Sequence, residues 1–264
     1  MQFSFDMPAV EKWAQFSSDR NPIHFDIARS RMAGLDALIV HGMLALMPVK
    51  RALAQSLTHP EGGSGWMKFR ALFRHPIPHG RVITLDTRAS GSGATYRVCA
   101  GACEHFRGGY GPTSDPALEL RTDAIEFDTP LNHTKALRFR QFYPDVQERW
   151  IALDAIVFSE FMRSKLHIVE DLAQASMMRL HGDVPATRVV VQLSHTVAFD
   201  AGFFEQHLCS AAVWDTLRYA LSMPDMVAGG NQLGGTVALP VMAGDRLVML
   251  MEIGLVSKFE PQPA

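Results

Sequence analysis

Apolar residues run through this chain in two rounds of one order: a strand-like start, a long apolar helix pattern, then several alternating stretches. In the first round, residues 2–6 read as a strand. Pro8 suits the first turn of a helix, where its missing N–H forfeits no bond. Over 39–57, Met43, Leu44, Met47, Leu53 and Leu57 hold roughly one face of a longer helix. Pro48 is expected to kink that helix or remove one backbone bond. Strand-like runs follow at 65–73, 81–89 and 95–106, with a Pro- and Gly-bearing turn at 76–80 between the first two. In the second round, 150–158 reads as a strand. The clearest helical period covers 160–180, through Met162, Leu166, Val169, Ala173, Ser176 and Leu180, with Gly182 as a stop signal. Residues 187–199 alternate as a strand. The stretches 208–221 and 234–255 add more strand, the latter broken by a turn at 242–245.

Gly, Pro, Ser and Asp cluster between the two rounds, as in Gly108-Gly109-Tyr110-Gly111-Pro112-Thr113-Ser114-Asp115-Pro116. A linker is therefore expected over 108–133, separating an N-terminal domain (1–107) from a C-terminal domain (134–264). The shared order is an internal duplication of architecture with little residue identity. A long helix wrapped by a curved antiparallel sheet is the hot-dog plan. Two such units joined edge to edge remove an exposed sheet edge. The expected fold class is α+β, a double hot-dog with two wrapped long helices and one continuous sheet.

Composition narrows the partners. A length of 264 residues is comfortable for two small domains. Lys and Arg total 25 against 27 Asp and Glu, so no basic excess is present to neutralise phosphates, and no nucleic-acid partner is expected. Cys99, Cys103 and Cys209 are too few for a disulfide framework or a four-thiolate zinc site, and read as reduced core thiols. The first residues lack a basic region followed by a long apolar run, so no signal peptide is expected. The longest apolar stretch, 34–49, is broken by Asp36, His41 and Pro48, too short and too polar for a membrane span. A cytoplasmic protein without a membrane partner is the expectation.

One segment carries chemistry. Phe16-Ser17-Ser18-Asp19-Arg20-Asn21-Pro22-Ile23-His24-Phe25-Asp26 sets a carboxylate and an imidazole five residues apart on a turn, close enough to hold one water. Ile39-Val40-His41-Gly42-Met43-Leu44 follows, with Gly42 at the start of the long helix. A free N–H at a helix N-terminus, on the positive end of the dipole, suits a developing oxyanion. Asp19 and His24 are the candidate acid–base pair and Gly42 the candidate oxyanion donor. Asn21, His41 and Met43 are the candidate substrate-contacting residues. The competing reading of Asp19-Arg20-Asn21-Pro22 is a plain turn, since Asp, Asn and Pro all favour turns. His41 alone reads as a helix-start residue, and Asp26 as a helix cap.

These residues resemble the MaoC-like family, which includes the R-specific enoyl-CoA hydratases known as hydratase 2. The resemblance rests on Asp19-x-Asn21-Pro22-Ile23-His24-x-Asp26, on His41-Gly42-Met43-Leu44 and on the strand–turn–strand from Met67 to Leu85, and covers about residues 1–107. It implies reversible hydration of a trans-2-enoyl thioester to its (3R)-hydroxyacyl form, with the acyl group on coenzyme A or acyl carrier protein. It implies no metal and no cofactor, and Asn21 as a residue that holds the turn. Hot-dog sheets often pair again, so a homodimer is among its implications. In one departure, Ser18 stands where the family usually has glycine.

The second half has no copy of this motif. Glu170, Asp171 and His195 give an alternative reading as a hot-dog acyl thioesterase, and a non-catalytic acyl-binding subunit is a third. Met177, Met178, Met223, Met226, Met249 and Met251 are candidates for an adaptable acyl tunnel. Lys68, Arg70 and Arg74 alternate on a strand, and face either a phosphate-bearing carrier or solvent. The glycine-rich stretch 229–235 lacks the Lys-Ser/Thr of a phosphate loop and reads as a loop.

Overall fold

The structure is a computed structural model that describes residues 1–56, 65–116, 129–181, 188–206, 208, 210–222, 226–229 and 232–259. In the first half, β1 (Gln2–Phe3) leads to α1 (Met7–Ser17), a 3-10 turn (Pro22–His24), α2 (Ile27–Met32) and α3 (Gly42–Ser56). Then come β2 (Trp66–Phe73), β3 (Ile83–Ser90), β4 (Gly93–Ala100) and β5 (Cys103–Thr113). The second half contains β6 (Thr129–Pro130), α4 (His133–Phe142), α5 (Arg149–Ser164), α6 (Leu166–His181) and β7 (Arg188–Asp200). It continues with α7 (Ala201–Gln206), α8 (Ala211–Thr216), β8 (Leu217–Tyr219), β9 (Met226–Gly229), β10 (Gln232–Ala243) and β11 (Arg246–Phe259).

Local chemistry starts the helices. The Asp6 carboxylate accepts from Ala9 N at 3.0 Å, with Pro8 in the first turn of α1. Asp26 caps α2, accepting from Ala28 N at 2.8 Å and Arg29 N at 3.2 Å. α3 continues through Pro48. Proline removes one donor there, but Met43, Leu44, Leu46, Met47, Val49 and Leu53 are buried, and packing outweighs the lost bond.

The strands form one antiparallel sheet in the order β1-β3-β4-β5-β2-β7-β11-β10-β8-β6, with β9 also on β10. β2 and β7 join the halves, pairing Phe69 with Val197 and Ala71 with His195. On β2, Met67, Phe69 and Ala71 face the core while Lys68 and Arg70 face solvent. Trp150 of α5 stacks on Phe199 of β7 (4.6 Å between centroids) and on Tyr110 of β5 (5.9 Å), so the aromatic core crosses the join. A polar cluster is sealed in the same core. Lys50 of α3 pairs with Asp154 of α5, and His195 of β7 donates Nε2–H to the other Asp154 oxygen at 2.8 Å. The Lys50 ammonium also lies 5.2 Å from the Phe69 ring centroid.

Several sequence expectations are corrected. The run 150–158 is helix α5, not strand. Trp150, Ile151, Leu153, Asp154, Ala155, Ile156, Val157 and Phe158 are all buried, so within this run Asp154 is the one polar residue to mark a helical face. The helix expected over 160–180 is two helices with a break at Lys165. The run 208–221 holds α8, capped by Ser210 accepting from Val213 N, before the short β8. The strand expected over 95–106 is a hairpin turning at Gly101, whose φ is +59°. Residues 108–113, expected in the linker, continue β5 along β2. Cys103 is exposed rather than core, and Cys99 is half-buried. Met249 and Met251 are core and Met178 is exposed. Cys209, Met223, Gly182, linker residues 117–128 and Gly230-Asn231 lie outside the described residues, as do the side chains of Met177 and Met226.

Candidate active site

The site begins where α1 ends. Ser18 adopts φ 64° and ψ 10°, the left-handed region, and is the one non-glycine residue there among the described residues. Its N–H closes the helix on Ala14 O at 2.9 Å. That conformation is the one a glycine would take most easily, so serine carries a steric cost here.

The turn that follows is fixed by its own side chains. Asp19 N donates to Ser17 Oγ at 3.1 Å, and Asn21 N to Asp19 Oδ1 at 3.3 Å. Asn21 Oδ1 accepts from Ile23 N, starting the 3-10 turn behind Pro22. Asn21 Nδ2 donates to Val190 O at 3.0 Å, tying the turn to β7 of the second half.

The two histidines are oriented by carbonyls, which only accept. His24 Nδ1–H donates to Ile39 O at 2.8 Å, and His79 Nε2–H donates to the same oxygen at 2.9 Å. The neutral His24 ring therefore keeps its lone pair on Nε2. Burial pulls His24 below its ordinary pKa, and the Asp19 charge only partly opposes this. His41 Nε2–H donates to the Asp19 carbonyl at 3.0 Å. Burial lowers the His41 pKa to about 4, against an opposing pull from Asp19. Both rings are thus neutral near pH 7.

Asp19, His24 and His41 present ligand atoms all within 4.8 Å of one another. A water in hydrogen-bond contact with two such atoms, each at about 2.8 Å, spans that separation. The set does not suit a metal through both rings. His24 and His41 stack at 3.7 Å with 28° between planes, and imidazole lone pairs lie in the ring plane. An ion bound by both rings would lie out of the plane of at least one of them.

A cavity of about 510 Å³ opens at this turn. Asp19, Asn21, His24 and Gly42 line it from the first half, and Phe161, Met162, Leu166 and Val190 from the second. Gly42 is the first residue of α3, so its N–H has no intrahelical partner. A Cβ there would lie 2.9 Å from both Gln192 Oε1 and Phe73 Cζ, two wall residues, so glycine keeps the helix start open to the cavity. Arg20 and Arg74 stand among the lining residues and are exposed, Arg74 pairing with Glu104 at 3.2 Å.

The candidates divide. Asp19, Asn21, His24 and Gly42 are brought together on one cavity wall. His41 is 1% exposed and stands behind His24 rather than on the wall, and Met43 is packed in the core. Glu170 lines the cavity, Asp171 is exposed, and His195 is fully buried on Asp154. The residues proposed for thioester hydrolysis are therefore scattered. Sequence reasoning passed over Lys50 and Asp154, the latter signalled as a lone charge inside an apolar run. It also passed over Phe73, Gln192 and Val190, which reach the site only through sheet pairing.

The arrangement supplies a neutral imidazole base, a carboxylate within one water of it, and a helix-start amide, beside an apolar chamber. Such a set has the groups needed to move a proton and to stabilise an oxyanion.

Residues 7–100 match the family model of the MaoC like domain. No curated protein matches the chain. Among solved structures, a MaoC domain protein from Chloroflexus aurantiacus superposes with a TM-score of 0.53 at 8% identity, covering 99% of this chain and 94% of that one. The dehydratase domain of PpsC from Mycobacterium tuberculosis, in complex with C12:1-CoA, is 11% identical with a TM-score of 0.45, covering 83% and 85%. The (R)-hydratase from A. caviae involved in PHA biosynthesis is 23% identical with a TM-score of 0.34, covering 44% of this chain and 92% of that one. Residues 7–100, which carry the Asp19–His24 turn and Gly42, thus match the MaoC like domain model, in a chain with an α+β hot-dog fold.

Proposed function

We propose that this chain is a double hot-dog hydratase or dehydratase of acyl thioesters, interconverting trans-2-enoyl and (3R)-3-hydroxyacyl groups on coenzyme A or acyl carrier protein. The observation that carries the reading is the neutral His24 within 4.8 Å of Asp19, on the wall of a cavity that Gly42 also lines. The N-terminal domain supplies the chemistry, and the C-terminal domain completes the sheet and the acyl chamber.

In the hydration direction, water sits between Asp19 and His24. His24 Nε2 takes a proton as the water oxygen bonds to C3. The C2–C3 π electrons move toward the thioester carbonyl, whose oxygen becomes enolate-like. The Gly42 N–H faces that oxygen, with the N-terminal end of α3 behind it. The enolate collapses, C2 takes the proton back from the imidazolium, and the product is neutral overall. Return of the proton to the face that received the hydroxyl makes the addition syn. Asp19 orients the water and balances the transient imidazolium charge. General acid–base action of this kind contributes about 10²–10⁴-fold.

The test presents enoyl and 3-hydroxyacyl groups on both carriers and follows a mass change of one water. Saturated acyl thioesters with thiol detection run alongside. Gain or loss of water supports the proposal. Thiol release from saturated substrates, with no hydration on either carrier, would sink it in favour of hydrolysis.

A further inference from the structure

The last carbonyls of a helix have no partner within it. In the last turn of α1, four and three residues before Asp19, these groups are met by the other half of the chain. Arg138 Nη2 of α4 donates to Gln15 O at 2.7 Å, and Ser159 Oγ of α5 donates to Phe16 O at 3.1 Å. Ser159 is 3% exposed, and its lone pair receives Arg163 Nη2 at 3.3 Å. Arg163 is in turn pinned by Glu160 at 2.7 Å, and its Nε reaches Ser18 Oγ at 3.4 Å. Lys135 of α4 closes the group on the second Glu160 oxygen at 3.2 Å.

This network continues into the active site. The Phe16 carbonyl belongs to the peptide plane that sets Ser17, and Ser17 Oγ holds the N–H of Asp19. Ser18 between them carries the left-handed φ that turns the chain toward the cavity. A non-glycine residue in that region persists where its surroundings over-determine it. We infer that Ser159 is a positioning residue for Asp19, with Arg163 as its support, so that the domain without catalytic groups fixes the carboxylate of the domain that has them. The inference rests on Asp19 being the working carboxylate of the proposed reaction.

The experiment compares Ser159→Ala with Ser164→Ala, a second hydroxyl on the same helix that bonds Glu160 O and Tyr219 instead. Misplacing a catalytic group by about 1 Å costs on the order of 10²-fold, so Ser159→Ala should lower kcat by about 10–100-fold and change KM by less than about two-fold. Ser164→Ala should leave kcat near wild type. A second readout does not depend on turnover. The Asp19 charge supports protonation of His24, so moving it away should shift the His24 imidazole titration, followed by NMR, to lower pH in Ser159→Ala. His41 and His79, which also face His24, are followed in the same spectra. If the wild-type chain hydrates no thioester, the proposed reaction falls, and the His24 shift alone decides the positioning role. Arg163→Gln, a change at the surface, stands in if Ser159→Ala does not fold, with the same direction expected. Wild-type kcat and an unmoved His24 titration in these variants would overturn the inference, as would an equal kcat loss in Ser164→Ala.

Discussion

The ammonium of Lys50 on α3 rests against the carboxylate of Asp154 on α5, and each residue is only 1% exposed. His195 donates to the same carboxylate from β7, so one buried charge is shared by three elements. Burial lowers the proton affinity of Lys50, and Asp154 opposes this. Burial by itself would raise the Asp154 pKa, yet Lys50 and His195 together bring it below its ordinary value. Removing one partner strands the other charge in the core. Asp154→Leu is expected to destabilise the fold by about 3–5 kcal/mol, whereas Lys50→Met with Asp154→Leu should recover most of that loss. Urea unfolding of the three proteins checks this. A double variant as weak as the single one would show that the pair is more than charge compensation.

Asp19→Asn and His24→Gln keep side-chain volume while removing charge or basicity. Each should lower hydration kcat by about 10²–10⁴-fold while the unfolding midpoint stays close to wild type. Steady-state rates with an enoyl thioester supply the measurement. Near wild-type turnover in either variant would remove its residue from the chemistry.

Gly42→Ala brings a methyl group against the ends of Gln192 and Phe73, 2.9 Å from each. Catalysis should fall by about 10–100-fold, since the acyl carbonyl loses its close approach to the helix start. Stability should stay within about 1 kcal/mol, because alanine favours helix over glycine by a similar amount. A crystal structure of the variant with a bound thioester would show the carbonyl displaced.

Acid should weaken both activity and fold. His24, His41 and His195 are held below the ordinary imidazole pKa of 6.5 by burial. The unfolded chain therefore binds protons that the native state refuses. Stability is full above pH 6.5 and declines as pH falls from there toward about 4, by on the order of 3 kcal/mol for His41 alone. The acid limb of kcat/KM should likewise lie below 6.5, since His24 works in its neutral form. Unfolding midpoints and rates between pH 4 and 8 test both, and a flat stability profile across that range would contradict the buried neutral rings.

Ser18→Gly should stabilise the chain by about 1 kcal/mol, because it removes the steric cost of a side chain at φ 64°. Thermal or urea midpoints report this directly.

The Asp19–His24 turn was readable in the chain because its backbone is fixed locally. Ser17, Asp19 and Asn21 side chains accept from backbone N–H groups two residues on, and Gly42 opens the next long helix. The pattern 39–57 gave α3 because its apolar residues keep a face. Trp150 to Phe158 misled for the opposite reason, since Asp154 is the one polar residue within that run. At 208–221 the apolar residues read as strand, although Ser210 caps helix α8. Val190, Gln192 and Phe73 were invisible as site residues, because only the pairing of β2 with β7 brings them to Gly42 and Asn21.

That pairing has a wider consequence. In a two-fold homodimer every substitution is made twice, and a surface that works at one copy must also be tolerated at the other. Here both partners of the central strand pair belong to a single polypeptide, so each can change alone. One half carries the Asp19–His24 turn. The other contributes Phe161, Met162 and Leu166 to the wall of the cavity at that turn.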